Sequence, residues 1–306
     1  MQRIKLEFDL DEQQRNYRLQ MVESLKASPV IAKFVQENHL PASIIEETPA
    51  KFNRYLKVRQ TCAACQGLPF CAMKIRGQAP SLSVDEQGFL IDVYMPCRYQ
   101  KEKTAKLAHS ANFSIAHLDE KDYLTSFPIL MKTLYEEPRA YTKAFGEVMA
   151  SAQEDKGCLL FGQPGTGKTT LLIALANLYA QQNKRVAFVR VPLMVSELKA
   201  SLSDDEYRTT ILGRMRFADV LFLDDFGSES ATAWTRDEIL FPVLDERMNA
   251  GRKTYFASNI NPDELEDRYN IEGTAYSAVA AKRLMERVNT LASPVEVVGR
   301  SRRNLK

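Results

Sequence analysis

Apolar residues recur along the first sixty positions at spacings of three and four. Met21, Val22 and Leu25 form one set and Ile31, Phe34 and Val35 another, separated by Ser28-Pro29. That period marks an amphipathic helix, or a pair broken at the proline. Pro41 ends the second piece, and a further helical stretch over 43–58 sets Ile44 and Ile45 beside Phe52, Tyr55 and Leu56. The opening therefore reads as a small helical hairpin, too short to bury much surface alone, and cores of that size commonly recruit a metal or a partner. Beyond it the period changes to two. Residues 82–84 and 89–95 flank the turn Asp85-Glu86-Gln87-Gly88, with Phe89, Ile91 and Val93 on one face, which predicts a β-hairpin. Residues 98–135 predict a helix and then irregular chain, the lysine-rich start being a solvated face.

From residue 137 helical periods alternate with short, wholly apolar runs. Helices are expected over 137–152, from 170 onward, and over 192–201, 205–217, 234–249 and 278–291, and strands over 158–161, 185–191, 220–223, 253–257 and 295–298. Continuous apolar runs between helices are the pattern of parallel strands buried on both faces, so the fold class is α/β. The divisions expected are an N-terminal domain over 1–100, a linker over 101–135 and an α/β domain over 136–306.

The first of those strands runs into Gly162-Gln163-Pro164-Gly165-Thr166-Gly167-Lys168-Thr169, with Thr170 next, and then a helix. This is the G-x-x-x-x-G-K-[ST] phosphate loop in its proper context. Glycines let backbone N–H groups reach phosphate oxygens, the helix dipole adds positive potential, Lys168 supplies a charge for the outer phosphates, and the Thr169 hydroxyl is placed for magnesium. The strand at 220–223 ends in Asp224-Asp225, four apolar residues followed by acids, the Walker B pattern. Asp224 is the candidate to hold magnesium through water and Asp225 the candidate to orient or deprotonate an attacking water, although adjacent aspartates can also cap a helix. The strand at 253–257 ends in Ser258-Asn259. Arg283 and Arg287, four apart, share a helix face, where they can equally pair with acids such as Glu286.

Global charge adds little: 41 basic against 39 acidic residues leave +2, so any nucleic-acid contact must be a local patch. No apolar run approaches the ~18 residues needed to span a bilayer, and the first residues lack a signal peptide's apolar core, so a cytoplasmic protein without a membrane partner is expected. In a reducing compartment the five cysteines favour ligation or burial over disulfides. Cys158 sits inside a strand and reads as core. Cys62-Ala63-Ala64-Cys65 is a C-x-x-C knuckle, Cys71 follows, and the hairpin would return Cys97 toward them, which suits a tetrahedral zinc site. A redox pair, a chance pairing, or a three-ligand site with Cys71 as bystander are the alternatives. His39, His109 and His117 have no ligand spacing.

With these motifs in place, residues 157–303 resemble the AAA+ ATPase core. The order Leu223-Asp224-Asp225-Phe226-Gly227, Trp234-Thr235-Arg236-Asp237-Glu238, Ala257-Ser258-Asn259 and Ala281-Lys282-Arg283-Leu284-Met285-Glu286-Arg287 is similar to bacterial helicase loaders of the DnaI and DnaC type, and the cysteine-bearing N-terminal region resembles the DnaI branch. The resemblance implies a five-stranded parallel sheet in the order 5-1-4-3-2 without a full helical lid, preceded by a small helical, zinc-binding domain that contacts the helicase. It implies ATP or ADP with Mg2+ and Zn2+ as cofactors, Asn259 as the sensor of the terminal phosphate, and Arg287, or Arg283 one turn earlier, as an arginine reaching a neighbouring subunit's nucleotide. Hydrolysis is then slow for an isolated subunit and stimulated by assembly. The implied partners are the hexameric replicative DNA helicase, single-stranded DNA, other primosome proteins and further copies of the chain. DNA contacts would fall at Lys199, Thr232 and Trp234, although a lone tryptophan also suits a core.

Three departures from the family pattern stand out. The second Walker B acid is Asp225 rather than a glutamate. Ala79-Pro80 occupies the place of a histidine–proline pair that can ligate zinc, so either Cys71 completes that site or the site is weaker. With few residues after the last strand, the lid that bears a second sensor is not expected, and Arg303 is the candidate substitute. Two rival functions share parts of the pattern: a transposition-associated ATPase of the same core family, and a zinc adaptor that binds nucleotide without turnover.

Overall fold

In the structure, a computed structural model that describes residues 11–271 and 273–301, the apolar spacing of the first sixty residues takes the form of helices α1 (Glu12–Lys26), α2 (Pro29–Glu37), α3 (Ile44–Glu47) and α4 (Pro49–Ala63). The chain divides into two units, one ending at Ala105 and the other beginning at Lys106. In the first, Asp11 opens α1 with a capping box: its carboxylate accepts from Gln14 N–H at 2.7 Å and the Gln14 side chain accepts from Asp11 N–H at 3.3 Å. Pro29 and Pro49 stand at first helical positions, where a missing N–H costs nothing. An antiparallel hairpin, β1 (Gln78–Val84) and β2 (Leu90–Pro96), follows. It completes the small core, with Leu82 and Leu90 buried beside Leu25, Ile31, Phe34, Ile44, Ile45, Phe52 and Tyr55. The face carrying Phe89 and Ile91 is the exposed one, because alternation turns these neighbours of Leu90 outward. Helix α5 (Arg98–Leu107) comes next.

The second unit contains β3 (Phe113–Ala116), α6 (Phe127–Met131), α7 (Arg139–Ser151), β4 (Gly157–Phe161), α8 (Lys168–Gln181), β5 (Val186–Arg190), α9 (Val191–Ala200), α10 (Asp205–Phe217), β6 (Val220–Asp224), α11 (Phe241–Asn249), β7 (Lys253–Ser258), α12 (Pro262–Tyr269), α13 (Ala275–Leu291) and β8 (Ala292–Glu296). The sheet order is β3-β5-β6-β7-β4-β8, with every pair parallel. Without β3 this is the implied order 5-1-4-3-2. The expected count of five is corrected to six: the added strand lies in the stretch read as helix and irregular chain. β3 is four residues long, sits at an edge and buries only Ile115, so it carries almost no apolar signal.

Alternation along the central strands feeds two cores. Leu221 and Leu223 of β6 join Ala187 and Val189 of β5 beneath α9, α10, α11 and α13, while Val220 and Phe222 join Val186 and Phe188 beneath α7 and α8. Each large side chain so buried contributes about 1.5–3 kcal/mol. The helix expected over 234–249 begins as a π-helical segment, Trp234–Leu240, before α11. Pro242 explains this, since an interior proline lacks an N–H and crowds the preceding turn, which a wider turn relieves. Near the start of β7, Arg247 is fully buried and donates to the carbonyls of Met215, Arg216, Ala218 and Lys253 and to Thr254 Oγ1, tying α11 to the end of α10.

Candidate functional site

The phosphate loop joins β4 to α8, and backbone conformation dictates its glycines. Gly162, Gly165 and Gly167 have φ of 139°, 87° and 98°, and a Cβ at Gly162 would lie 2.6 Å from the Val297 carbonyl oxygen. L side chains rarely adopt these angles. Gly167 is the N-cap of α8, so Lys168, Thr169 and Thr170 form its first turn and their N–H groups face the loop. Pro164 is exposed on the loop, while Thr166 is buried, its hydroxyl donating to the Gln163 carbonyl at 3.0 Å. Lys168 is buried too, and its ammonium donates to the carbonyls of Gly162 (2.7 Å) and Gln163 (2.9 Å). The charge thus sits inside the loop, fit to meet an oxyanion that enters it.

β6 delivers the acids to the same end of the sheet. Thr169 Oγ1 donates to Asp224 Oδ1 at 2.9 Å, so the hydroxyl and carboxylate suited to a magnesium ion already stand together. Burial and the neighbouring Asp225 push Asp224 up to about 6, against the lowering influence of the Thr169 bond and the Arg190 charge. Asp225 lies in the left-handed region, with φ of 55°, where the chain leaves the strand. Asn259, just past β7, donates from Nδ2 to Asp225 Oδ1 at 3.4 Å, which brings the expected sensor to the acid pair. The phosphate-loop residues, the acids and Asn259 therefore converge on one end of the sheet.

The two arginines of α13 differ. Arg287 is mostly buried: it donates from Nε to Asp245 Oδ1 at 3.0 Å and from Nη1 to Glu286 Oε2 at 2.8 Å, and it lies 4.9 Å from the Phe241 ring centre. Arg283 is exposed and covers the same ring at 4.7 Å. Of the DNA candidates, Lys199 is exposed on α9. The Thr232 hydroxyl caps the π-helical segment by accepting from Thr235 N–H at 3.1 Å, and Trp234 packs half-buried against the core. Arg303 lies outside the described residues.

The expected four-thiolate zinc site is not shown by the structure. Among the described residues, no three His, Cys, Asp or Glu side chains are grouped so that they could hold a metal ion. The hairpin does bring Cys97 back, its N–H donating to the Gly77 carbonyl at 2.8 Å, and Cys62, Cys65, Cys71 and Cys97 line one cavity of about 550 Å³. Three of the four sulfurs bond to backbone groups. Cys65 Sγ donates to the Gly67 carbonyl at 3.4 Å, Gly77 N–H donates to Cys71 Sγ and Gln100 N–H to Cys97 Sγ, both at 3.5 Å. Burial raises the Cys62 thiol, with the other three sulfurs adding to it, and the backbone donors Gly77 and Met73 lower Cys71.

Two residues next to the acids carried no signal in the spacing. Arg190 ends β5 opposite Asp224, and Glu229, four residues beyond Asp225, is almost wholly buried despite a polar context that reads as a solvated turn. Phe241, the platform for both arginines, reads only as an apolar helix position.

Residues 141–305 match the model of the IstB-like ATP binding protein family, and residues 1–93 match that of the primosomal protein DnaI N-terminus. The chain is 31% identical over 301 residues to the replicative helicase loader DnaI of Bacillus subtilis, spanning 93% of each protein. Among solved structures it is similar to DnaI, at 30% identity and a TM-score of 0.54, covering 61% of this chain and 98% of that one. A primosome component from Streptococcus pyogenes, at 25% identity and a TM-score of 0.51, covers 64% of this chain and 98% of its own.

Proposed function

The chain belongs to the DnaI-type helicase loaders with an IstB-like ATP-binding module, and from that membership we propose that it uses ATP binding and hydrolysis to deliver a hexameric replicative DNA helicase onto single-stranded DNA. The observation that carries the reading is the 2.9 Å bond from Thr169 to Asp224, which joins the phosphate loop to the acids in a chain similar to a helicase loader over both of its units. Residues 162–170, apart from Pro164, which has no N–H and only shapes the loop, cradle the triphosphate through backbone N–H groups, and Lys168 exchanges its loop carbonyls for phosphate oxygens. Thr169 and Asp224 would hold Mg2+, a fit supported by their existing bond; the ion supplies charge neutralisation at the phosphates. Asp225, steadied by Asn259, orients a water and accepts its proton as the water oxygen bonds to the γ-phosphorus and the bond to the ADP oxygen breaks.

An arginine of α13 from a neighbouring copy completes the site. Such a group contributes ~10³ or more to rate, so the isolated chain turns over slowly and self-association switches it on. Single-stranded DNA contacts are assigned to Lys199 and the segment with Thr232 and Trp234, and the first unit to the helicase and other primosome proteins. The setting is cytoplasmic; no described helix is long and apolar enough to cross a membrane. The transposition-associated rival shares the ATP-binding module, but the match of residues 1–93 to the DnaI N-terminus favours the loader. The deciding experiment is capture of the cognate replicative helicase by the tagged full chain, with ATP turnover measured alongside. Stable capture, with turnover that Asp225→Asn removes, is expected. Absence of capture contradicts the loader, and turnover unchanged in Asp225→Asn contradicts the assignment of the acid.

A further inference from the structure

The turn that leaves β6 with Asp225 is held by a network that the hydrolysis scheme above does not use. Gly227, two residues on, has φ of 85° and presses so close to α12 that a Cβ there would lie 2.4 Å from Leu265 Cδ2. Phe226 N–H donates to the Ala257 carbonyl at 2.8 Å, and the Phe226 ring packs on Phe256 and Tyr269 at 5.2 and 5.5 Å between centres. Glu229 is 2% exposed; its Oε2 accepts from Gly227 N–H at 2.9 Å and its Oε1 from the Tyr269 hydroxyl at 2.5 Å. Arg268, beside Tyr269 on α12, donates to the carbonyls of Gly227 (3.3 Å) and Glu229 (2.9 Å).

A buried carboxylate is costly unless its oxygens are bonded, and here each oxygen is committed to a different part of the fold. One grips the turn that aims Asp225. The other grips the last turn of α12, the helix that begins three residues after Asn259. We propose that Glu229 is a positioning residue for ATP hydrolysis: with Tyr269 it locks the Asp225 turn to α12, so that Asp225 and Asn259 keep the geometry in which they share the attacking water. Glu229 touches neither nucleotide nor water and acts through Asp225. The same bridge makes α12 a lever, because displacement of that helix moves both residues together. This inference rests on the reading of Asp225 as the water-orienting acid.

The test uses the full chain with ATP and magnesium, measuring kcat and KM for hydrolysis and direct ADP affinity in Glu229→Gln and Tyr269→Phe. Tyr269→Phe keeps the buried ring and removes only the hydroxyl, so it covers the case in which the Glu229 variant fails to fold. A small misplacement of a catalytic group costs about tenfold to a hundredfold in rate, so kcat is expected to fall by that much in each variant. KM and ADP affinity should stay within about twofold, because the phosphate loop is untouched. The double variant should lose no more than the worse single one, since both cut the same bridge. Unchanged kcat in Tyr269→Phe, or kcat and ADP affinity falling together, overturns the proposal. Asp225→Asn separates the two readings. If it abolishes turnover while Glu229→Gln and Tyr269→Phe hydrolyse normally, only the positioning role falls; if turnover survives in Asp225→Asn, the Asp225 reading fails and this one with it.

Discussion

Lys168 and Asp224 carry the part of the proposed chemistry that depends most on single side chains. The Lys168 ammonium is the charge inside the loop, and a charge-assisted contact contributes about 1.5–3 kcal/mol. Lys168→Ala is therefore expected to weaken ATP binding by about tenfold to a hundredfold or more in a direct titration; unchanged affinity would contradict the loop assignment. Asp224 is raised from an ordinary 3.8 to about 6, so the folded, metal-free chain holds a proton there more tightly than the unfolded chain. The stability gained is fully present below about pH 4 and is lost as pH rises through about 6. Above that the buried charge costs up to about 3 kcal/mol. Asp224→Asn should thus raise the thermal midpoint of the metal-free protein at pH 8, with the gap closing toward pH 4; an equal gap at both would contradict the assignment. That the loop and the acid would meet was legible because a phosphate loop has fixed residue types at contiguous spacing. Glu229 was not, since its partner Tyr269 lies 40 residues away and the contact exists only once α12 packs.

At the scale of elements, the two-faced apolar runs of β4, β5, β6 and β7 announced themselves, as burial on both sides leaves no polar position to confuse the period. β3 escaped because an edge strand with one buried residue resembles loop. For the thiols, spacing and hairpin foretold that Cys97 would return toward Cys62 and Cys65, and the four cysteines line one cavity, while the backbone donors that meet Cys71 and Cys97 come from residues whose placement the spacing does not fix. Arg247 is likewise unreadable in sequence, a charged helix residue that becomes the tie between α10, α11 and β7. Arg247→Met should destabilise the chain by about 3 kcal/mol or more, because several carbonyls lose their donor while buried. Urea unfolding checks this, and a midpoint shift equivalent to less than ~1 kcal/mol would show the tie to be dispensable.

For the whole molecule, the two units divide the proposed work: the first meets the helicase and the second cycles nucleotide. Arg287 is engaged by Asp245 and Glu286 within its own chain, so reaching a neighbour's nucleotide requires it to leave them, whereas Arg283 is already exposed. Arg287→Ala should keep ATP binding and lose ~10³ of the assembly-stimulated rate. Normal stimulated turnover in that variant would pass the role to Arg283. The central claim is tested most directly by incubating the cognate replicative helicase with covalently closed single-stranded DNA circles, the full chain and ATP, and measuring helicase retained on the circles. The account predicts retention that requires the chain and is lost with Lys168→Ala. Equal retention without the chain, or with Lys168→Ala, would contradict it.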